Sequence, residues 1–298
     1  MKLLQSVAIA ALVAGLAAPS VLALDFGGGA TVTGTFELEY NDFNSSTSQT
    51  LGYGEVDISF GNPDGGFGGF VGFDAFVLED ESATAFYGAL TFAGGFGKFQ
   101  IGVPRTALDD YIDTPEVGGS KLVDLELGIA TGSVLPVLYL GEDFDPPVGL
   151  RYDGNFGAAK VGFSYHQIDD TDLLGVGMNY ELGQIVVRAG LEHARDSGSS
   201  ATSYFLGAEG EFGALKTGVL LADSELLVDA RTAKLYAVYT PIDGLDLTGT
   251  YIAIDQSSTS DLFGLGARYT FGQGMFVEAG ALDGKFTEAY NLSVGVDF

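Results

Sequence analysis

The chain ends YNLSVGVDF (residues 290–298), and the reading of this stretch decides the fold. Tyr290, Leu292, Val294, Val296 and Phe298 are apolar, whereas Asn291, Ser293, Gly295 and Asp297 are small or polar. Strict alternation is the mark of a strand with one apolar face. Here it runs to the final residue and stops on an aromatic. An open strand edge invites aberrant pairing, but a closed barrel has no edge, because its last strand pairs with its first. The expectation is therefore a closed barrel whose terminal strand points these five residues outward, with Phe298 in an interfacial aromatic girdle.

The same period of two recurs along the chain. In ATVTGTFELEY (residues 30–40), Val32, Phe36, Leu38 and Tyr40 share one face with Gly34, and Thr31, Thr33, Thr35, Glu37 and Glu39 share the other. Sixteen such segments are expected, at about 31–43, 50–60, 67–78, 84–93, 98–103, 147–153, 158–167, 173–182, 185–194, 202–212, 215–222, 231–240, 245–254, 262–271, 275–282 and 288–298; a tilted membrane strand needs about 9–11 residues. No helical stripe stands out beyond the N-terminus. Charged residues fall on the non-apolar face: Lys98, Arg151, Lys160, Arg188, Lys216, Lys234 and Arg268, and Glu37, Glu39, Glu55, Asp57, Glu181, Glu192, Glu209, Glu211 and Glu278. A Lys or Arg on a lipid face costs roughly 2–4 kcal/mol at mid-bilayer. Sixteen apolar faces exceed what one β-sandwich core can hide, so lipid is the simpler burial partner.

The connections alternate in character. One set is tight and glycine-rich, as at Gly183-Gln184 and Gly213-Ala214; the other is expected to be longer and acidic or Ser/Thr-rich, as at Asn44–Gln49, Glu79–Ala83, Arg195–Ala201 and Asp255–Asp261. An antiparallel meander puts the two sets at opposite ends, as in outer-membrane barrels. At the N-terminus, Lys2, the apolar run Val7–Ala18, Pro19 and Val21-Leu22-Ala23 have the layout of a secretory signal, expected to be cleaved after Ala23. Residues 1–23 are thus read as a signal peptide and 24–298 as one barrel domain. The absence of cysteine means that the exported chain closes without disulfides, and a net charge of −27 argues against nucleic acid as a partner.

One connection, residues 104–146, is far longer than the usual limit of about 12–15 for a structureless loop. It follows GGFGKFQIGVPRTALDDY (94–111) and precedes GLRYDGNFGAAKVGFSY (149–165). These stretches, with the terminal phenylalanine, resemble the sixteen-stranded general porins of Gram-negative bacteria, most closely those of the alphaproteobacterial type. The resemblance implies an all-β, transmembrane, antiparallel up-and-down β-barrel with an inward-folded third loop that narrows the pore. It also implies a homotrimer in the bacterial outer membrane, in contact with bilayer and lipopolysaccharide. Tyr290, Leu292, Val294, Val296 and Phe298 are similar to the signal read by the barrel-assembly machinery. In the family, loop carboxylates face basic side chains across the constriction. The matching residues here are Asp109, Asp110, Asp113 and Glu116, with Lys98, Arg105, Arg151, Lys160 and Arg188 as basic candidates and Glu37, Glu39 and Asp57 as wall acids. One departure stands out: no Lys or Arg occurs from Leu3 to Gly97. The arginine cluster usual on the early strands is missing, which predicts a stronger cation preference.

Catalysis has little support. The only histidines are His166, expected to face inward, and His193, expected to face outward, and there is no cysteine nucleophile. No cofactor is implied. The acidic stretches Glu79-Asp80-Glu81 and Asp169-Asp170-Thr171-Asp172 raise loop-bound calcium, with solvated loops as the alternative. The expected function is passive diffusion of small hydrophilic solutes and ions through a water-filled, cation-preferring channel. A substrate-selective channel, a non-conducting surface barrel and a soluble exported β-protein are the alternatives.

Overall fold

The computed structural model describes residues 24–25, 29–44, 47–61, 65–78, 81–135, 147–226, 228–256, 259–285 and 288–298. Its strands are β1 (Leu24–Asp25), β2 (Ala30–Phe43), β3 (Thr47–Gly61), β4 (Gly66–Leu78), β5 (Glu81–Gly94), β6 (Gly97–Val103), β7 (Val148–Phe156), β8 (Ala159–Ile168) and β9 (Thr171–Leu182). Then follow β10 (Ile185–Asp196), β11 (Ser199–Phe212), β12 (Leu215–Ser224), β13 (Ala230–Ile242), β14 (Leu245–Asp255), β15 (Thr259–Phe271), β16 (Met275–Gly284) and β17 (Glu288–Asp297). From β2 to β17 each strand pairs antiparallel with the next, and β17 returns to pair with β2, Asp297 opposite Thr35 and Ala289 opposite Phe43. The result is a closed sixteen-stranded up-and-down barrel. The two-residue β1 continues along the same edge of β2, opposite Thr31 and Val32. The expected signal peptide lies outside the described residues.

Closure explains the terminal phenylalanine. Gly34 N–H donates to the Phe298 carbonyl at 2.8 Å, and Phe298 N–H donates back at 2.9 Å. The Phe298 ring stacks on Phe36 with centroids 5.5 Å apart. The side chains before it divide as the pattern requires: Tyr290 and Leu292 are exposed on the outer surface, while Asn291 and Ser293 are buried inside.

The tight turns behave as expected. Gly183 and Gly213 each open a two-residue turn at φ +67°, the left-handed region that a glycine-first hairpin turn demands. The opposite end corrects the expectation of long loops. Strand pairing extends into those segments, so that only Asp169-Asp170 separates β8 from β9 and Ser197-Gly198 separates β10 from β11. The third connection alone is large. It begins where Pro104 removes a ladder donor and stops β6 after seven residues.

This third loop also contains helix, which period-two reading did not anticipate. α1 (Ala107–Tyr111) is capped by Thr106, whose hydroxyl accepts from Asp109 N–H at 3.2 Å. α2 (Lys121–Thr131) is capped by Ser120, which accepts from Val123 N–H at 3.2 Å. The hydrophobic core lies between this loop and the inner wall in three clusters. One joins Val134 and Leu135 to Ala85, Tyr87, Ile168 and Leu173; a second joins Leu108 and Ile112 to Phe205, Leu220 and Ala222. The third joins Val117 and Val123 to Ile252, Leu282 and Ala289.

Candidate functional site

Loop 3 runs inside the barrel, and glycines make room for it. A Cβ on Gly162 or Gly177 would stand 2.5–2.6 Å from Tyr111 of α1, and one on Gly264 would stand 2.5 Å from Gly118 N. Gly118 and Gly119 themselves sit at φ +61° and +65°, turning the chain tightly against β15 and β16. Such contacts recur around the wall, and every one of the sixteen strands β2–β17 buries at least one inward-facing residue.

Buried wall carboxylates hold this loop in a repeated way. Glu39 accepts from Ser120 Oγ at 2.8 Å and from Lys121 N–H at 2.7 Å. Glu192 accepts from Ser133 Oγ at 2.7 Å and from Val134 N–H at 2.8 Å. Each carboxylate therefore clamps a serine hydroxyl and the next backbone N–H, and both are fully buried. Charge-assisted bonds of this kind are the strong class. On β13, buried Lys234 reaches Thr114 at 2.9 Å and Asp124 at 3.1 Å.

The charged groups separate into two recesses at the end of the barrel that carries the tight turns. One, of about 600 Å³, is lined by Asp113, Glu116, Asp124, Glu209, Glu211, Asp246 and Glu278 against only Lys121, Lys216 and Arg268. The other, of about 260 Å³, gathers Lys98, Arg105 and Arg151 with Asp57 and Asp110. The lumen is therefore electrically uneven: acids outnumber bases towards β11–β16, whereas towards β6–β7 the basic side chains are gathered and paired with carboxylates.

A sequence profile of the Gram-negative porins matches residues 6–297. The chain belongs to that family. No curated protein matches the porin sequence. Among solved structures it is similar to engineered variants of the Rhodopseudomonas blastica porin. One is 17% identical with a TM-score of 0.70, and a second is 16% identical with a TM-score of 0.69. Each alignment covers 90% of this porin and all of the other chain, and at this identity the likeness concerns the fold. Porins are channels of the Gram-negative outer membrane, and the exposed apolar outer face of this barrel agrees with that location.

The porin corrects the expected arrangement of loop acids facing wall bases across a gap. Asp110 is bonded directly to Arg151, which also binds Asp153 at 2.7 Å and the Thr106 carbonyl at 2.9 Å. Arg105 belongs to the loop and reaches out to wall acids: Asp74 at 2.8 Å, Asp57 at 3.1 Å and Glu55 at 3.2 Å. Its guanidinium lies over the Tyr87 ring at 4.4 Å. The guanidinium missing from the early strands is thus supplied to them by loop 3. Arg188 binds the Asp113 carbonyl and, at 2.8 Å, Glu209. Glu116 pairs with Lys121 at 2.6 Å, and Lys98 lies 3.9 Å from Asp153. Lys160 pairs with Glu181 at 3.2 Å among exposed side chains near the tight turns, away from the loop. Glu37 is buried with its Oε1 unpartnered, and Glu39 is a clamp rather than a lining residue.

Asp109 keeps part of its surface open, yet the protein packed around it pushes its carboxyl up to about 6, with neighbouring Asp110 adding to the effect. Burial also raises Asp124, against the opposing pull of Lys234. His166 is buried inward with its Nε2 2.7 Å from the Pro104 carbonyl, while His193 lies on the outward face beside Thr202. Glu79 and Asp80 lie outside the described residues. Among the described residues no three His, Cys, Asp or Glu groups converge to hold a metal ion.

Sequence reading placed Glu192 and Lys234 on the inner face without giving them partners, and it passed over Asp74 and Asp124. One signal was available. Gly119-Ser120 and Gly132-Ser133 repeat within loop 3, and each serine precedes a backbone N–H that needs an acceptor.

Proposed function

We propose that this porin is a cation-preferring diffusion channel for small hydrophilic solutes. The observation that carries the reading is the 600 Å³ recess below loop 3, where seven carboxylates face three basic side chains. A narrow passage lined by one sign of charge concentrates counter-ions and repels co-ions. The test is the reversal potential of the purified protein in a planar bilayer across a KCl gradient. A cation-selective potential is expected. An anion-selective one would mean that Lys98, Arg105 and Arg151 govern permeation, and would overturn the assignment. The preference should weaken at high salt, because the Debye length falls from about 10 Å at 0.1 M to about 3 Å at 1 M.

The proposal includes homotrimeric assembly, contact with lipopolysaccharide and delivery by the barrel-assembly machinery, all supported by family membership. Native mass measurement in mild detergent tests the first, and a monomeric mass would refute it. The encircling contacts of loop 3 favour a second reading, a lumen plugged in its resting state. A folded barrel without conductance in the same bilayer experiment would select it.

A further inference from the structure

The acidic recess below loop 3 holds more negative charge than its bases satisfy. Glu116 meets Lys121 at 2.6 Å, Asp124 meets Lys234 at 3.1 Å, and Glu209 meets Arg188 at 2.8 Å. Asp113, Glu211 and Asp246 line the same recess and form no ion pair among the described residues. Lys216, opposite Glu211 on β12, lies 3.7 Å from Glu209 instead. Glu278 is only 7% exposed, yet it opens onto the recess and accepts no hydrogen bond among the described residues. Its basic neighbour Arg268 stays 3.8 Å away, bonded to Asp297 and lying over the Phe276 ring at 3.5 Å. A carboxylate buried this far without a donor is costly unless a cation completes it.

These carboxylates are spread out rather than gathered. Asp246 and Glu278 share one row of the wall with Arg268 between them, two strand spacings or about 10 Å apart. Glu211 stands on β11, three spacings or about 14 Å across from β14. A small divalent ion needs several oxygens at once, and no three acidic groups converge to supply them among the described residues. We propose that the recess binds a linear aliphatic polyamine, whose ammonium groups reach Glu278, Asp246 and Glu211 in turn. The inference rests on the cation-preferring reading above and names a solute class for it. Between Glu211 and Asp246 the wall presents Val238, an apolar surface for the methylene spacers. Each contact at the exposed acids is weak alone, but one chain links them, so that the second and third form at high effective concentration. A compact ion of the same charge can meet only one carboxylate at a time, so shape as well as charge is selected.

The test is isothermal titration calorimetry of the folded porin in mild non-ionic detergent at low salt. Spermidine is compared with hexaamminecobalt(III), a compact ion of the same charge. One spermidine should bind per chain, about tenfold more tightly than the cobalt complex. Glu278→Gln should weaken it about tenfold, and Glu211→Gln and Asp246→Asn about threefold each. Asp223→Asn, at the other end of β12, should leave it unchanged. Heat-modifiable migration checks that every variant remains a folded barrel. Equal affinity for the two trivalent ions would reduce the effect to a diffuse counter-ion atmosphere and overturn the proposal. So would an affinity that none of the three recess substitutions alters, or no binding at all. The reversal potential across a KCl gradient, measured on the same preparation, separates the two claims. A cation-selective potential without a preference for spermidine would sink this inference and leave the reading it rests on. An anion-selective potential alongside tight spermidine binding would sink that reading and leave the site.

Discussion

Removing the Glu192 carboxylate should release loop 3 from the wall. In Glu192→Ala, the Ser133 hydroxyl and the Val134 N–H lose acceptors at 2.7 and 2.8 Å, beside Val134 and Leu135, which are almost wholly buried. An orphaned buried donor costs about 1–3 kcal/mol, so two cost about 2–6 kcal/mol, less whatever water recovers by entering. Taking about 3 kcal/mol, at 1.4 kcal/mol per tenfold, raises the released population about 100-fold. The chain has no cysteine, so a single Val134→Cys reporter labels without background. Its reaction with a small charged thiol reagent reads the fraction of time the segment is open. The labelling rate should rise about 100-fold when Glu192→Ala is added, and by an intermediate factor with Glu192→Gln, which keeps one acceptor. Rates within twofold of each other, in barrels that still show heat-modifiable migration, would refute the clamp.

Three further outcomes follow from the same geometry. Gly264→Val would drive a side chain into Gly118 and Thr250, so it should displace loop 3 and change single-channel conductance while the barrel still folds, since strand pairing is untouched. For Asp109, the docked carboxyl is held near 6 against an ordinary 3.8, so docked loop binds a proton that released loop gives up between those values. Docking therefore weakens as pH rises through that window; Val134→Cys labelling, corrected for the free-thiol rate, should rise from about pH 4 to pH 6, and Asp109→Asn should flatten the rise. Deleting Phe298 removes both backbone bonds to Gly34 and the stack on Phe36, so the yield of heat-modifiable barrel in the outer membrane should fall several-fold; an unchanged yield would show that closure does not depend on the last residue.

The barrel was legible because its cause is local. A residue on a lipid-facing wall must be apolar whatever lies across the lumen, so Phe263, Leu265, Tyr269 and Phe271 declare their face from sequence alone. The length of loop 3 was legible and its inward course followed from the family resemblance, but its helices and anchors were not legible, because what specifies them is the far wall. Its helices are short and touch protein on several sides, so they show no single apolar stripe, and its anchors come from strands about 60–80 residues away in sequence, as with Glu192 for Ser133 and Glu39 for Ser120. The half of the inner wall nearer the loops did leave a trace, as doublets that break the alternation: Leu173-Leu174, Phe205-Leu206, Leu220-Leu221, Ile252-Ala253-Ile254 and Ala281-Leu282. The inward members Leu173, Phe205, Leu220, Ile252 and Leu282 are all buried under the clusters that hold loop 3. In a barrel filled only with water those positions would face solvent, and apolar side chains there would gain nothing from burial. A doublet near a strand's loop-side end therefore reports that something folds into the lumen, and the number of strands carrying one reports how far around the wall it reaches.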